Sequence, residues 1–159
     1  MPQGPWRWSC ASYATNGQVF QGNRWNTNYG RYPATIQDGT NNTIFFTEKE
    51  AVGAPCHGGR TANYNYWADW GPDVGDPGLS VWGVQGWLTQ PQGIGVCYPV
   101  ITPQPPGSAC SAEPSTGHTG GIMVAMGDGS AHLVAQGISP ATWWYAMTPQ
   151  GGEVLGSDW

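Results

Sequence analysis

Charge is what this chain has least of. Only 9% of its residues are Asp, Glu, Lys or Arg, and the formal net charge is −5. All the basic residues lie early, at Arg7, Arg24, Arg31, Lys49 and Arg60. A chain with no cation beyond Arg60 lacks the clustered Lys/Arg footprint that phosphate backbones require, which argues against nucleic acid as a partner. Long hydrophobic runs are missing too: no segment nears the roughly twenty apolar residues of a membrane-crossing helix, and no secretory leader is legible after Met1. Cysteine is sparse and wrongly spaced for zinc, since Cys10, Cys56, Cys97 and Cys110 form no Cys-x-x-Cys pair. Lys49 is the single lysine, no glycine-rich phosphate loop precedes it, and no Ser lies in a Gly-x-Ser-x-Gly elbow. The common phosphate-binding and nucleophile motifs are therefore absent, and the chain is expected to be no enzyme.

What is abundant points elsewhere. The sequence holds 25 Gly and 14 Pro, a level that in a low-aromatic chain signals low complexity, but it also holds 10 Trp. Aromatic side chains supply the burial that disordered chains lack. The expectation is a short N-terminal arm over residues 1–8, carrying Pro5, Trp6 and Trp8, and one globular domain over 9–159. An even number of cysteines fits two disulfides in an oxidising compartment, and the polar, charge-poor composition fits an extracellular or cell-surface location. Three pairings are open; closure of the Pro-rich loop by Cys97–Cys110, leaving Cys10–Cys56, is favoured. Export with no visible leader is reconciled by a processed form, or one whose upstream export helix is missing. The confinement of the cations to residues up to Arg60, with only acids after it, would allow head-to-tail attraction between copies.

Local structure is clearest over 117–148. Two apolar runs, 122–126 and 131–135, flank Gly127-Asp128-Gly129-Ser130, whose Asp and Gly residues tolerate the backbone of a tight reversal, so a β-hairpin is expected. Ser139 then offers a capping hydroxyl and Pro140 suits the first helical position. A helix of about two turns carrying Trp143, Trp144 and Met147 should follow, stopped by Pro149 and Gly151-Gly152. Upstream, Asn16-Gly17 reads as a turn before a strand, and Asp38-Gly39-Thr40 as a turn. Residues 43–51 read as one strand buried on both faces, 53–78 as loop, and 79–88 as one or two strands. The 90–114 stretch is a long Pro/Gly-rich loop, and 153–159 a terminal strand packing Leu155 and Trp159. The fold class is mainly β (α+β): an antiparallel sheet with long Gly/Pro-rich loops and a short C-terminal helix.

Candidate chemistry is thin and divides into five groups. Asp69, Asp73 and Asp76 cluster on one loop, as a hard cation such as Ca²⁺ prefers, without the spacing of an EF-hand. Trp67, Trp70, Trp82 and Trp87, amid Asn, Gln and Asp, have the make-up of a glycan-stacking surface. Asn41-Asn42-Thr43 matches an N-glycosylation acceptor at Asn41. His118 and Asp128 are expected at opposite ends of the hairpin, with His118 bonding a loop and Asp128 closing the turn. Glu48 and Glu50 are expected to be two exposed acids on one face of a strand.

Several blocks resemble, in order, a large bacterial family of pilin-like proteins with prepilin-type N-termini. His118 and Asp128-Gly129, with nine residues between them, resemble its C-terminal signature. Ser139-Pro-Ala-Thr-Trp-Trp, Thr148-Pro-Gln-Gly-Gly-Glu153, and Asp38-Gly39-Thr40 followed by Glu48-Lys49 resemble its flanking blocks. The resemblance runs from about Ser9 onward. The family's Gly-Phe-Thr-Leu-Ile-Glu processing site and long apolar helix do not occur in this sequence. The resemblance implies a pilin-like globular domain, a filament or pseudopilus subunit whose partner is itself. Calcium-stabilised loops among secretion pseudopilins lend weight to the aspartate cluster, with no other cofactor implied. A carbohydrate-binding module is the alternative that the aromatic content keeps open.

Overall fold

The computed structural model describes residues 12–20, 31–53, 63–64, 73–74 and 114–159. Its elements in chain order are β1 (Tyr13–Asn16), α1 (Gly17–Phe20), β2 (Ile44–Glu48), β3 (Val52–Gly53), β4 (Asn63–Tyr64), β5 (Asp73–Val74), β6 (Gly121–Met126), β7 (Ala131–Ala135) and α2 (Pro140–Met147). Five strands form one sheet in the order β5-β1-β2-β6-β7, while β3 and β4 pair separately. Neighbours from β1 through β7 run antiparallel, and β5 joins β1 in parallel. The fold is mainly β with a short C-terminal helix, an α+β arrangement as the sequence leads one to expect.

The hairpin and helix follow from local chemistry. Between β6 and β7 the Gly129 N–H donates to the Met126 carbonyl at 3.1 Å and the Met126 N–H to the Ser130 carbonyl at 2.9 Å. This closes a short turn whose last residue must be left-handed, and Gly129 meets that need at φ +88°. At the other end of β6, Gly121 has φ +149°, and a side chain there would collide with the Val134 carbonyl of β7. The start of α2 is capped by Ser139, whose Oγ accepts the Thr142 N–H at 3.3 Å, with Pro140 at the first position. Its end is set by Pro149, which disfavours the helical region for the residue before it: Thr148 turns extended, at φ −85° and ψ 130°.

An eight-residue helix is marginal by itself, so packing must hold it. Alternation along the strands sends Ala14, Ile44, Ile122, Val124, Met126 and Val134 to the inner face, where Trp143, Ala146 and Met147 of α2 cover them. Leu155 and Trp159 close the margin. Trp143 is fully buried, and truncating such a side chain costs about 3–5 kcal/mol.

Five local expectations are corrected. The strand expected over 43–51 stops at Glu48, because the chain then leaves the β2–β6 ladder and resumes separately as β3. It is not buried on both faces: Ile44 is fully buried whereas Phe46 is 41% exposed on the outer face. Asn16-Gly17 is no turn before a strand; β1 precedes it and α1 follows, with the Asn16 Oδ1 accepting the Gln18 N–H at 3.0 Å as a helix cap does. The expected loop over 53–78 contains β4 and β5. Residues 153–159 form no strand, although Leu155 and Trp159 do pack on the core.

Candidate functional site

Among the described residues, several polar side chains are drawn into bonds between segments of the chain. The central one is Glu48, at the end of β2 and only 8% exposed. Its Oε2 accepts the Thr116 hydroxyl at 2.8 Å and the Met123 N–H of β6 at 3.0 Å. Its Oε1 lies 3.1 Å from the His118 Nε2. Glu48 therefore replaces a main-chain acceptor at the open end of the β2–β6 ladder and ties segment 114–118 to it. The same segment is held by the Ser115 N–H on the Glu48 carbonyl at 3.2 Å and by the Ser115 Oγ, which accepts the Glu50 N–H at 2.9 Å. Two exposed acids were expected here. Glu48 is buried instead, because segment 114–118 lies against it and supplies donors that offset its desolvation.

His118 bonds Glu48, while its ring is 70% exposed. Asp128 lies in the hairpin turn, where its Oδ1 accepts the Ser130 N–H at 2.9 Å and the Ser130 hydroxyl at 2.7 Å. These two bonds hold the Asp128 carboxyl below the ordinary carboxylate range. The Ser130 Oγ also lies 3.2 Å from the His132 Nε2. This trio is not a nucleophile triad. The Ser130 hydroxyl donates to Asp128 and not to the imidazole, so the serine-to-histidine proton path of such a triad is missing.

Two further carboxylates act as clamps. Asp38 accepts the Gly151 and Gly152 N–H groups, each at 2.8 Å, and its own N–H donates to the Pro149 carbonyl at 3.2 Å. The neighbouring Thr40 carbonyl receives the Asp128 N–H at 3.0 Å, so the 38–40 turn lies between the hairpin turn and the loop after α2. Asp158 accepts the Ser139 N–H and the Thr142 hydroxyl, both at 2.6 Å, over the first turn of α2. The Thr142 hydroxyl and the Ser139 N–H lower its pKa to about 2. Asn16, fully buried, donates to the Ile44 carbonyl at 2.8 Å and the Met147 carbonyl at 2.7 Å, joining β1, β2 and the end of α2. The sequence marks Asn16 only as a turn former and gives Asp158 no signal.

Trp143 and Trp144 are buried within α2 rather than offered to a ligand. Asn41 is exposed in a turn. An aromatic cluster that the sequence does not reveal lies outside the core: the Phe20 ring is 5.3 Å from both Phe45 and Phe46, and Tyr32 meets Phe45 edge-on at 6.2 Å. Of the proposed calcium ligands, Asp73 lies in β5, whereas Asp69 and Asp76 lie outside the described residues. So do Cys10, Cys56, Cys97 and Cys110, the arm residues Pro5, Trp6 and Trp8, Trp67, Trp70, Trp82 and Trp87, and the strands expected over 79–88. Among the described residues no cluster of three or more His, Cys, Asp or Glu side chains is placed to hold a metal ion, and no helix is long and apolar enough to cross a membrane.

Fold and site together define a mainly-β domain whose polar motif residues serve as latches between chain segments. The chain belongs to the family described as "Protein of unknown function (DUF1559)", whose model matches residues 3–141. No curated protein and no solved structure matches the chain.

Proposed function

We propose that this chain is a non-catalytic structural subunit, exported to the cell surface or beyond, that assembles with copies of itself into a filament or pseudopilus. The observation that carries this reading is the fate of four carboxylates. Asp38, Glu48 and Asp158 each bind two or more groups from distant parts of the chain, and Asp128 is committed to its own turn. Groups engaged in this way stiffen a domain, and their bonds commit these four carboxylates to structure. The pilin-like motif order supports the same reading. The arm with Pro5, Trp6 and Trp8 is the segment proposed to dock on a neighbour, and calcium on Asp69, Asp73 and Asp76 would be a structural ion.

The test is electron microscopy of the oxidised protein, with calcium present, with and without residues 1–8. Filaments lost on truncation support assembly through the arm, whereas filaments that persist keep the subunit role and move the contact. Monomers under every condition overturn self-assembly. The aromatic cluster of Phe20, Tyr32, Phe45 and Phe46 favours a second reading, a glycan-binding surface, because exposed rings stack on the apolar faces of sugars. Glycan-array binding that falls on Tyr32→Ala or Phe46→Ala, in protein that forms no polymer, would select it.

A further inference from the structure

Among the described residues, the outer side of β7 is a strand edge. Pairing of β6 with β7 is regular across all five residues, from Gly121↔Ala135 to Ala125↔Ala131. Because Met126 and Ser130 are joined by a main-chain bond, alternation makes Val124/His132 and Ile122/Val134 the hydrogen-bonded pairs. The N–H and C=O groups of Ala131, Leu133 and Ala135 then point away from β6. The Ala135 carbonyl takes the Ile138 N–H at 3.4 Å, but no described residue pairs with the N–H or C=O of Leu133. β7 ends the strand order, and the Leu133 side chain is 57% exposed.

Edge strands that must stay single are guarded by Lys, Pro, a bulge or an inward charge. β7 reads Ala-His-Leu-Val-Ala and has none of these. We infer that β7 is a self-pairing edge, through which two copies join antiparallel about a two-fold axis at Leu133. This inference rests on the reading that the chain associates with itself, and it names one surface where copies meet.

The occupant follows from charge and symmetry. A net charge of −5 opposes close approach of two copies, whereas this strand carries no charge with His neutral. An axis at Leu133 pairs all five residues: Leu133 faces its counterpart, Ala131 faces Ala135, and His132 faces Val134. No like charges oppose each other, small residues meet small ones, and the outward N–H and C=O groups of Leu133 fall on the axis where they bond reciprocally. Such a contact closes at two copies, so a filament would need a second, different surface. Loss of the edge and loss of polymers are thereby separable.

The experiment is light scattering across a concentration series on the full chain, wild type against Leu133→Lys, with oxidative crosslinking of Leu133→Cys. Hydrogen-bonded antiparallel pairs hold their Cα atoms about 5.5 Å apart, within disulfide reach. The expected result is a wild-type dimer and folded Leu133→Lys that dimerises about tenfold or more weakly. Peptide mapping of Leu133→Cys should show copies linked through that position. Association unchanged by Leu133→Lys, with no such link, overturns the edge and leaves the subunit reading standing. Wild-type monomer throughout overturns both.

Discussion

The two ends of the β6–β7 hairpin are built on opposite plans. At the turn end, the side-chain bonds of Asp128 and Ser130 and the turn-closing bonds to Met126 stay within a few residues, beside the main-chain N–H groups of Gly127 and Asp128 that reach the Thr43 and Thr40 carbonyls. At the open end, Glu48 gathers Thr116 from 68 positions away and Met123 from 75. Local bonds close small loops and partly persist in the unfolded chain, whereas remote ones exist only once the sheet has formed. The turn end thus fixes where the chain reverses, and the open end depends on whether the sheet has assembled.

Breaking the open end should do the most damage. Glu48→Ala strands the Thr116 hydroxyl and the Met123 N–H in a buried place and is expected to cost about 2–4 kcal/mol in urea unfolding. Glu48→Gln keeps one acceptor and should cost about half as much. At the turn end, Gly129→Ala forces a Cβ into the left-handed region, for about 1–2 kcal/mol. A larger loss for Gly129→Ala than for Glu48→Ala would reverse the comparison.

His118→Ala separates the anchor from its exposed partner. With Thr116 and Met123 still on Glu48, the loss should stay below about 1 kcal/mol, and amide exchange in β6 should remain slow. A loss equal to that of Glu48→Ala would make the imidazole, not the carboxylate, the anchor.

Acid titration sets a local carboxylate against a remote one. Asp158 titrates at about 2 when folded, against 3.8 for a free Asp. A depressed carboxylate stabilises the fold above the unfolded pKa, and that contribution is lost as pH falls from 3.8 towards about 2. Asp158→Asn should flatten the stability profile in this window. Asp128 is also lowered, but its bond to Ser130 spans two residues and partly survives unfolding, so Asp128→Asn should change the slope less. Equal slopes would show that the turn forms only with the whole domain. The readout is thermal unfolding across that pH range.

The limits of what the sequence tells follow from the same distances. The Gly127–Ser130 reversal, the Ser139-Pro140 helix start and the Pro149 stop depend on neighbours within a turn of chain, so residue type suffices to place them. Glu48 and Glu50, by contrast, look alike as two acids one residue apart. One is buried as an anchor because segment 114–118 is laid across it. Asn16 reads as a turn former, yet its amide reaches the Met147 carbonyl across 131 positions. The sequence by itself determined the mainly-β class, the hairpin and the capped helix, because their periodicity and turn chemistry are local. Only the tertiary structure decided which carboxylates are clamps, which rings lie outside the core and which strand is the edge. Those outcomes depend on segments that meet only when the sheet closes, and no local pattern encodes the partner.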